Sequence, residues 1–362
     1  MTWLKPDLPF NDLKALPPPI DLDNPEILKK AITANRFLAE LKGHCQTLPN
    51  PSLLLNTIVL QESKDSSAIE NIVTTQDDLY RAILDPSDRI PANTKEVISY
   101  REAIYTGLDE LKRRGVFTGN LAIKIMQRIK NTTAEFRKIQ GTKLSNPSTN
   151  KIIYTPPDLD KINRKMVDWE KYINDASLET DPLILMALMH YQFEAIHPFA
   201  DGNGRTGRIL NVLFLISKGL LVHPILYHSQ YIIKHKVNYY RRLRGVTERN
   251  EWIEWISFIL DAVKETAIST LNTIREIVVL KEESLKQIKE ISQKLPAHEL
   301  TELIFSFPYV KIGKLVERKI AKRQAASQYL QKLAAKNVLH TFKVGREIYY
   351  VNHKLMDILT GA

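Results

Sequence analysis

The most apolar stretches of the chain flank its most polar knot. Residues 182–196 are apolar with a helical look, residues 209–222 are apolar nearly all round, and a short polar loop separates them. A helix that is apolar on every side is a buried one. The pattern therefore predicts two core helices joined by a tight loop that opens the second. Amphipathic runs predict further helices before this pair, at about 25–42, from 52 into the sixties, and at 76–84, 92–114 and 122–133. After it come 231–244 and 252–270, the last continued to about 295 by a charged run with i,i+4 pairs. Pro49 and Pro51 break the chain after the first helix. Residues 1–25 are rich in proline, Pro17, Pro18 and Pro19 included, and predict an extended arm lying on the body or left loose. Residues 141–150 are polar, Lys151, Ile152, Ile153 and Tyr154 are β-prone, and Thr155-Pro156-Pro157 stops them, so a small hairpin is expected.

Pro296 opens a different texture. Helical runs at 300–305, 310–319 and 324–336 precede a β-like hairpin over 338–351 that turns at Gly345. Helix, helix, helix, then two strands is the order of a winged helix. The expected division is an N-terminal arm and helix (1–50), a helical body with its connector (51–295) and a winged-helix-like tail (296–362). The fold class is all-α with one small hairpin, plus that tail.

Composition narrows the setting. A chain of 362 residues that is 44% hydrophobic reads as two or three globular domains. Cys45 is the one cysteine, which excludes an internal disulfide and fits a reducing, cytoplasmic setting. No basic segment followed by an apolar one opens the chain, and its longest apolar stretch carries Asn211, Lys218, His223 and Pro224, which argues against a membrane span. The net charge is +10, and from Lys311 to Arg346 there are ten lysines and arginines against one acid, Glu317. Such a surface suits the phosphates of DNA, with Ser327, Gln328 and Gln331 outward on a recognition helix. It would equally serve protein contacts or the pairing of two copies.

The loop between the core helices reads His197-Pro-Phe-Ala-Asp201-Gly202-Asn203-Gly204-Arg205-Thr206-Gly207-Arg208. Glycines there let a ligand approach the backbone. Free N–H groups at the start of a helix form an anion site. Arg205 and Arg208, three apart, share a helix face, and two guanidiniums beside such N–H groups suit a di- or triphosphate. Gly202-Asn-Gly204-Arg-Thr-Gly207 also matches the dinucleotide G-x-G-x-x-G pattern. That pattern needs a preceding strand and an acid about 20 residues on, whereas here a helical segment precedes and no acid follows before Glu248. No G-x-x-x-x-G-K-[ST] loop occurs.

The loop resembles the signature H-[PX]-F-x-[DE]-G-N-G-R-x-x-R of the Fic family, with all its fixed positions present. The resemblance implies transfer of AMP from ATP to a hydroxyl of a target protein, the enzyme itself included. It assigns His197 as general base, Asp201 as holder of Mg²⁺, and Gly202, Asn203, Gly204, Arg205, Thr206, Gly207 and Arg208 as the nucleotide cradle. A second stretch, Ser66-Ser-Ala-Ile-Glu70-Asn71, resembles the family's inhibitory motif [ST]-x-x-x-E-[GN]. Taken alone it reads as a solvated helix end with an acidic residue. In the family this glutamate pairs with the second arginine of the loop, here Arg208, and displaces the ATP γ-phosphate. The hairpin with Lys151, Ile152, Ile153 and Tyr154 resembles the family's flap, which docks the target as an added strand; otherwise it is a surface connection. Tyr239, of the pair Tyr239-Tyr240, is placed near the adenine by the resemblance and in helix packing by the bland reading. Two alternatives stay open: another chemistry on the same scaffold, such as AMP removal or phosphotransfer, and a nucleotide-sensing regulator that binds DNA through its tail.

Overall fold

The computed structural model describes residues 5–47, 51–84, 90–145, 149–175, 177–226, 228–344 and 347–360. Pro49, residues 146–148 of the expected hairpin, and Gly345 with Arg346 lie outside them. The chain is mostly helical with two small antiparallel sheets, as the pattern of apolar positions implies.

The first five helices are α1 (Pro25–Thr47), α2 (Pro51–Ile69), α3 (Gln76–Leu84), α4 (Ala92–Arg114) and α5 (Gly119–Lys130). Thr118 caps α5 by accepting from the Leu121 N–H, so this helix begins before the position its apolar pattern suggests. The hairpin pairs β1 (Leu144–Ser145) with β2 (Ile152–Tyr154), in the register Leu144 to Tyr154. Then come α6 (Leu159–Ile173), α7 (Pro182–Ile196) and α8 (Asn203–Ser217). The sequence reading passed over α6, although Ile162, Met166, Trp169 and Ile173 form its buried stripe. The helix expected over 231–244 is two, α9 (His228–Lys234) and α10 (Lys236–Arg249), parted at His235. The charged run expected beyond 270 continues without a break as α11 (Trp252–Ile291), 40 residues long.

The two apolar segments are indeed the core pair. From Leu183 to Phe193 every residue of α7 is buried, as is every residue of α8 from Arg205 to Leu215. Around them pack α4, α5, α6 and α11. The N-terminal arm lies on the body: Leu13 is buried, and the Phe10 N–H donates to the Thr155 carbonyl just beyond β2 at 2.9 Å.

The tail contains α12 (Ala297–Ser306), β3 (Tyr309–Val310), α13 (Ile312–Glu317), α14 (Arg323–Ala335), β4 (His340–Val344), β5 (Glu347–Val351) and α15 (His353–Thr360). Its sheet has the order β3-β5-β4, all antiparallel. Neither β3 nor α15 is evident from the apolar pattern. Both matter, because they join the tail to the body. A buried cluster contains Leu60 of α2, Leu79 and Tyr80 of α3, Val97 of α4, Tyr309 of β3, Tyr349 of β5 and Met356 of α15. The Tyr80 and Tyr309 rings stack at 5.2 Å, and the Tyr309 hydroxyl donates to Asp77. The tail thus covers the outer side of α2 and α3.

Candidate active site

The loop turns because two of its residues adopt left-handed backbone. His197 ends α7 with φ 50°, and Gly202 caps α8 with φ 86°. Glycine takes that conformation without a Cβ clash. Asn203 locks the turn from within: its amide donates to the Phe199 carbonyl at 2.8 Å and its oxygen accepts the Phe199 N–H at 2.9 Å. Its side chain is therefore committed to the loop rather than open to a ligand. Thr206 and Gly207 are buried in the first turn of α8, the latter against Glu194 and His190.

His197 stands at the end of this turn. Its carbonyl accepts from Arg137 Nε at 3.0 Å, and its ring bonds the Glu194 backbone. Burial, helped by the nearby Arg137 charge, pushes the imidazole down to about 4. The ring is neutral at pH 7, and with one nitrogen on the Glu194 carbonyl the other is free to accept a proton. Arg137 also donates to the Pro157 carbonyl, and its N–H to the Pro198 carbonyl at 2.8 Å, so one buried guanidinium ties the base of the flap to the catalytic loop. Tyr154 of the flap donates to the Ala195 carbonyl at 2.6 Å, whereas Lys151 is exposed and Ile152 and Ile153 are half-buried.

The two arginines of the loop have different surroundings. Arg205 is sealed, and its Nη1 donates to Glu96 Oε1 of α4 at 2.6 Å. It braces the loop from inside instead of facing incoming phosphates. Glu96 Oε1 also accepts from Lys130 Nζ at 2.7 Å, and Lys130 reaches Asp201 Oδ2 at 2.7 Å. Asp201 Oδ1 is 3.6 Å from Arg205 Nη2. Four charges, two of each sign, thus close a ring over the start of α8. The Lys130 ammonium and the Arg205 charge hold Asp201 below the usual carboxylate range, against the opposing effect of burial.

Arg208 of α8 is turned to α2. Its Nε donates to Ser66 Oγ at 2.7 Å, and its Nη2 to the Ser66 carbonyl at 2.8 Å and to Glu70 Oε1 at 2.9 Å. The spacing of the second stretch now has a physical account. Ser66 on α2 and Glu70 just past its end are one turn apart and grip the same guanidinium. Asn71 has φ 63°, and the Ile72 N–H returns to the Ser67 carbonyl at 3.0 Å, the left-handed helix end that favours glycine or asparagine. Gly204 makes the contact fit, since a Cβ there would stand 2.3 Å from Glu70 Oε1.

One turn before Ser66, Glu62 is buried, accepting from Ser229 Oγ at 2.5 Å and from the Ser229 N–H at 3.1 Å. Burial outweighs these bonds and pushes its carboxyl up to about 8. Tyr239, the expected adenine neighbour, is buried among Trp255 and Phe258 with its hydroxyl 2.8 Å from His190 Nε2, which is the packing arrangement. Tyr240 beside it is 39% exposed.

Sequence reasoning missed Arg137, Glu96, Lys130 and Glu62. Arg137 had a local cue in Glu135-Phe136-Arg137. Glu96 and Lys130 are brought to Asp201 only by the packing of α4 and α5 on α8.

Known proteins resemble the chain in the same order as its parts. Residues 28–109 match the model described as Fic/DOC family N-terminal, residues 117–215 the Fic/DOC family model, and residues 280–355 that of the protein adenylyltransferase SoFic-like C-terminal domain. Protein adenylyltransferase fic-1 of Caenorhabditis elegans is 33% identical over 81 residues, 22% of this chain and 16% of that one. Protein adenylyltransferase Fic of Culex quinquefasciatus is 31% identical over 114 residues, 31% of this chain and 21% of that one. The chain therefore spans about a fifth of these relatives. The crystal structure of a Fic family protein from Desulfovibrio desulfuricans G20 superposes with a TM-score of 0.58 at 17% identity, covering 93% of this chain and 98% of that one, a likeness of fold. With the signature loop folded as a tight turn between two core helices, and three family models matched in succession over residues 28–109, 117–215 and 280–355, the chain is a member of the Fic/DOC family.

Proposed function

We propose that this chain transfers AMP from ATP to a serine, threonine or tyrosine hydroxyl of a target protein, itself included, and that α2 holds it inhibited. The observation that carries the reading is the seating of Arg208. A sealed guanidinium in the second turn of α8 is gripped by Ser66 and Glu70. A phosphate is the natural competitor of the Glu70 carboxylate for that donor.

The chemistry follows from the residues around it. A target segment laid along the flap would bring its hydroxyl to the loop by backbone pairing, without a sequence requirement. His197, neutral and with one ring nitrogen free, takes the hydroxyl proton as the oxygen attacks the α-phosphorus. The bond to the bridging oxygen of the β-phosphate breaks, pyrophosphate leaves, and a phosphodiester remains on the target. The N–H groups at the start of α8 and Arg208 receive the phosphates.

Among the described residues no three acidic, histidine or cysteine side chains gather into a cation cage. Mg²⁺ is commonly held by one or two carboxylates together with substrate phosphates, so Asp201, 64% exposed, fits it. Bound there, the cation would offset charge on the α- and β-phosphate oxygens. The test is incubation of the native and Glu70→Gly chains with [α-³²P]ATP. Label should appear on protein, its mass should be that of AMP, and His197→Ala should abolish it. Transfer that survives His197→Ala would remove this residue from the chemistry.

A second reading concerns the tail alone, whose element order, with α14 and the β4-β5 hairpin, is that of a winged helix. Arg323, Gln324, Gln328, Gln331, Lys332 and Lys336 are exposed on or next to α14, with no acid among them, a surface suited to duplex DNA. Binding to a random-sequence duplex should weaken steeply with salt. A flat salt response would leave the face to protein contacts, pairing of two copies among them. No helix among the described residues is long and apolar enough to cross a membrane.

A further inference from the structure

The charge ring over α8 contains one member that the reading above does not use. Lys130 closes α5, and its stem lies over Gly202, where a Cβ would stand 3.7 Å from Lys130 Cγ. Its ammonium is shared equally between Asp201 and Glu96, at 2.7 Å from each. It therefore occupies one oxygen of the very carboxylate that a divalent cation would need, at the mouth of the turn that would receive phosphates. Arg205 does not fill this role, being sealed and 3.6 Å from Asp201.

We infer that Lys130 is the resident counter-cation of Asp201: it neutralises this carboxylate for an incoming phosphate chain, and a divalent cation must displace it to bind. This rests on the nucleotide reading proposed above. Two consequences of opposite sign follow from electrostatics. Without Lys130, Asp201 keeps only the 3.6 Å contact to Arg205, and Glu96, still bonded to Arg205, loses its second cation. They would repel a phosphate chain when no metal is present, and they would attract a divalent cation more strongly. General damage to the loop would weaken both kinds of binding. Lys130 is 27% exposed and Asp201 64%, so screening keeps each effect near the lower end of the coulombic range, about tenfold.

The experiment uses the full chain carrying Glu70→Gly, which leaves Arg208 open, with and without Lys130→Met. Calorimetry in EDTA measures ADP and adenosine. Relaxation enhancement of water protons measures Mn²⁺ on the apo chain. Lys130→Met should weaken metal-free ADP about tenfold, leave adenosine unchanged and tighten Mn²⁺ about tenfold. Lys130→Arg should stay close to the parent in all three. ADP and Mn²⁺ affinities that move in the same direction, or that do not move, overturn the inference. A parent that binds no ADP would sink the nucleotide reading instead, while the Mn²⁺ measurement still decides whether Lys130 competes for Asp201.

Discussion

Replacing Glu70 by glycine tests the inhibitory contact most directly. The carboxylate lies 2.9 Å from Arg208 Nη2, with the arginine 1% and the glutamate 32% exposed. Breaking a fully buried pair from one side costs about 3–5 kcal/mol. Here Glu70 is partly screened, and Ser66 keeps two bonds to the guanidinium, so about 1–3 kcal/mol is expected. For a chain of 362 residues that lowers Tm by about 1–4 °C. Backbone strain adds little, because residue 70 follows the last residue of α2. Ligand binding should reverse the loss: at a hundredfold excess over Kd, Mg-ATP contributes about 2.7 kcal/mol. The variant should therefore gain more from Mg-ATP in a thermal melt than the native chain, in which Glu70 must first be displaced. The same 1–3 kcal/mol, no longer opposing the γ-phosphate, corresponds to a rise of about 5- to 150-fold in AMP transfer. Label from [α-³²P]ATP on the protein measures it, and Arg208→Ala in the same background should cancel the gain. Equal transfer by native and variant chains would refute the inhibitory role. Faster loss of AMP from a labelled target, with transfer unchanged, would move the assignment to AMP removal.

Two further outcomes follow from the other supports of α2. Glu62 has a folded pKa of about 8 against an ordinary 4.5. Its stability contribution is therefore complete below about pH 4.5 and is lost as pH rises through 8, by about 3–5 kcal/mol. Urea midpoints of the native chain and Glu62→Gln should diverge over that window, the native chain losing ground as pH rises, and a constant difference would show that the carboxyl titrates alike in both states. Tyr309→Ala removes the ring stacked on Tyr80 at 5.2 Å and should cost about 2–4 kcal/mol. By loosening the cover over α3 and α2 it should raise AMP transfer in the native background and add nothing in Glu70→Gly. Additive gains in the double variant would show that the cover acts elsewhere.

Much of this molecule is written locally. The core pair is legible because α7 and α8 must be apolar on every side, and the loop because its glycines, acid and arginines are contiguous. Ser66, Glu70 and Asn71 are legible because one helical turn and one left-handed residue fix their spacing. What the sequence hides depends on tertiary packing. Lys130 and Asp201 lie far apart in the chain and meet only because α5 packs on α8. Tyr239 cannot be told from Tyr240 until the helix is rotated against Trp255. The β3 strand has two residues, too few for an alternation to show, and α15 follows so closely on β5 that its amphipathic pattern merges with the hairpin.

The buried cluster joining tail and body also has a temporal side. Synthesis runs from the N-terminus at about 5–20 residues per second. Leu60, Leu79 and Tyr80, and later the loop from His197 to Arg208, leave the ribosome well before Tyr309, Tyr349 and Met356 exist to cover α2 and α3. For some seconds the nascent chain holds its signature loop and α2 with the outer side of that helix bare. The bond from Glu70 to Arg208 can form in that interval, but the apolar seal behind it cannot. The contact is thus made early and covered last, so that a ribosome stalled within the tail would leave the apolar back of α2 exposed to water and to chaperones.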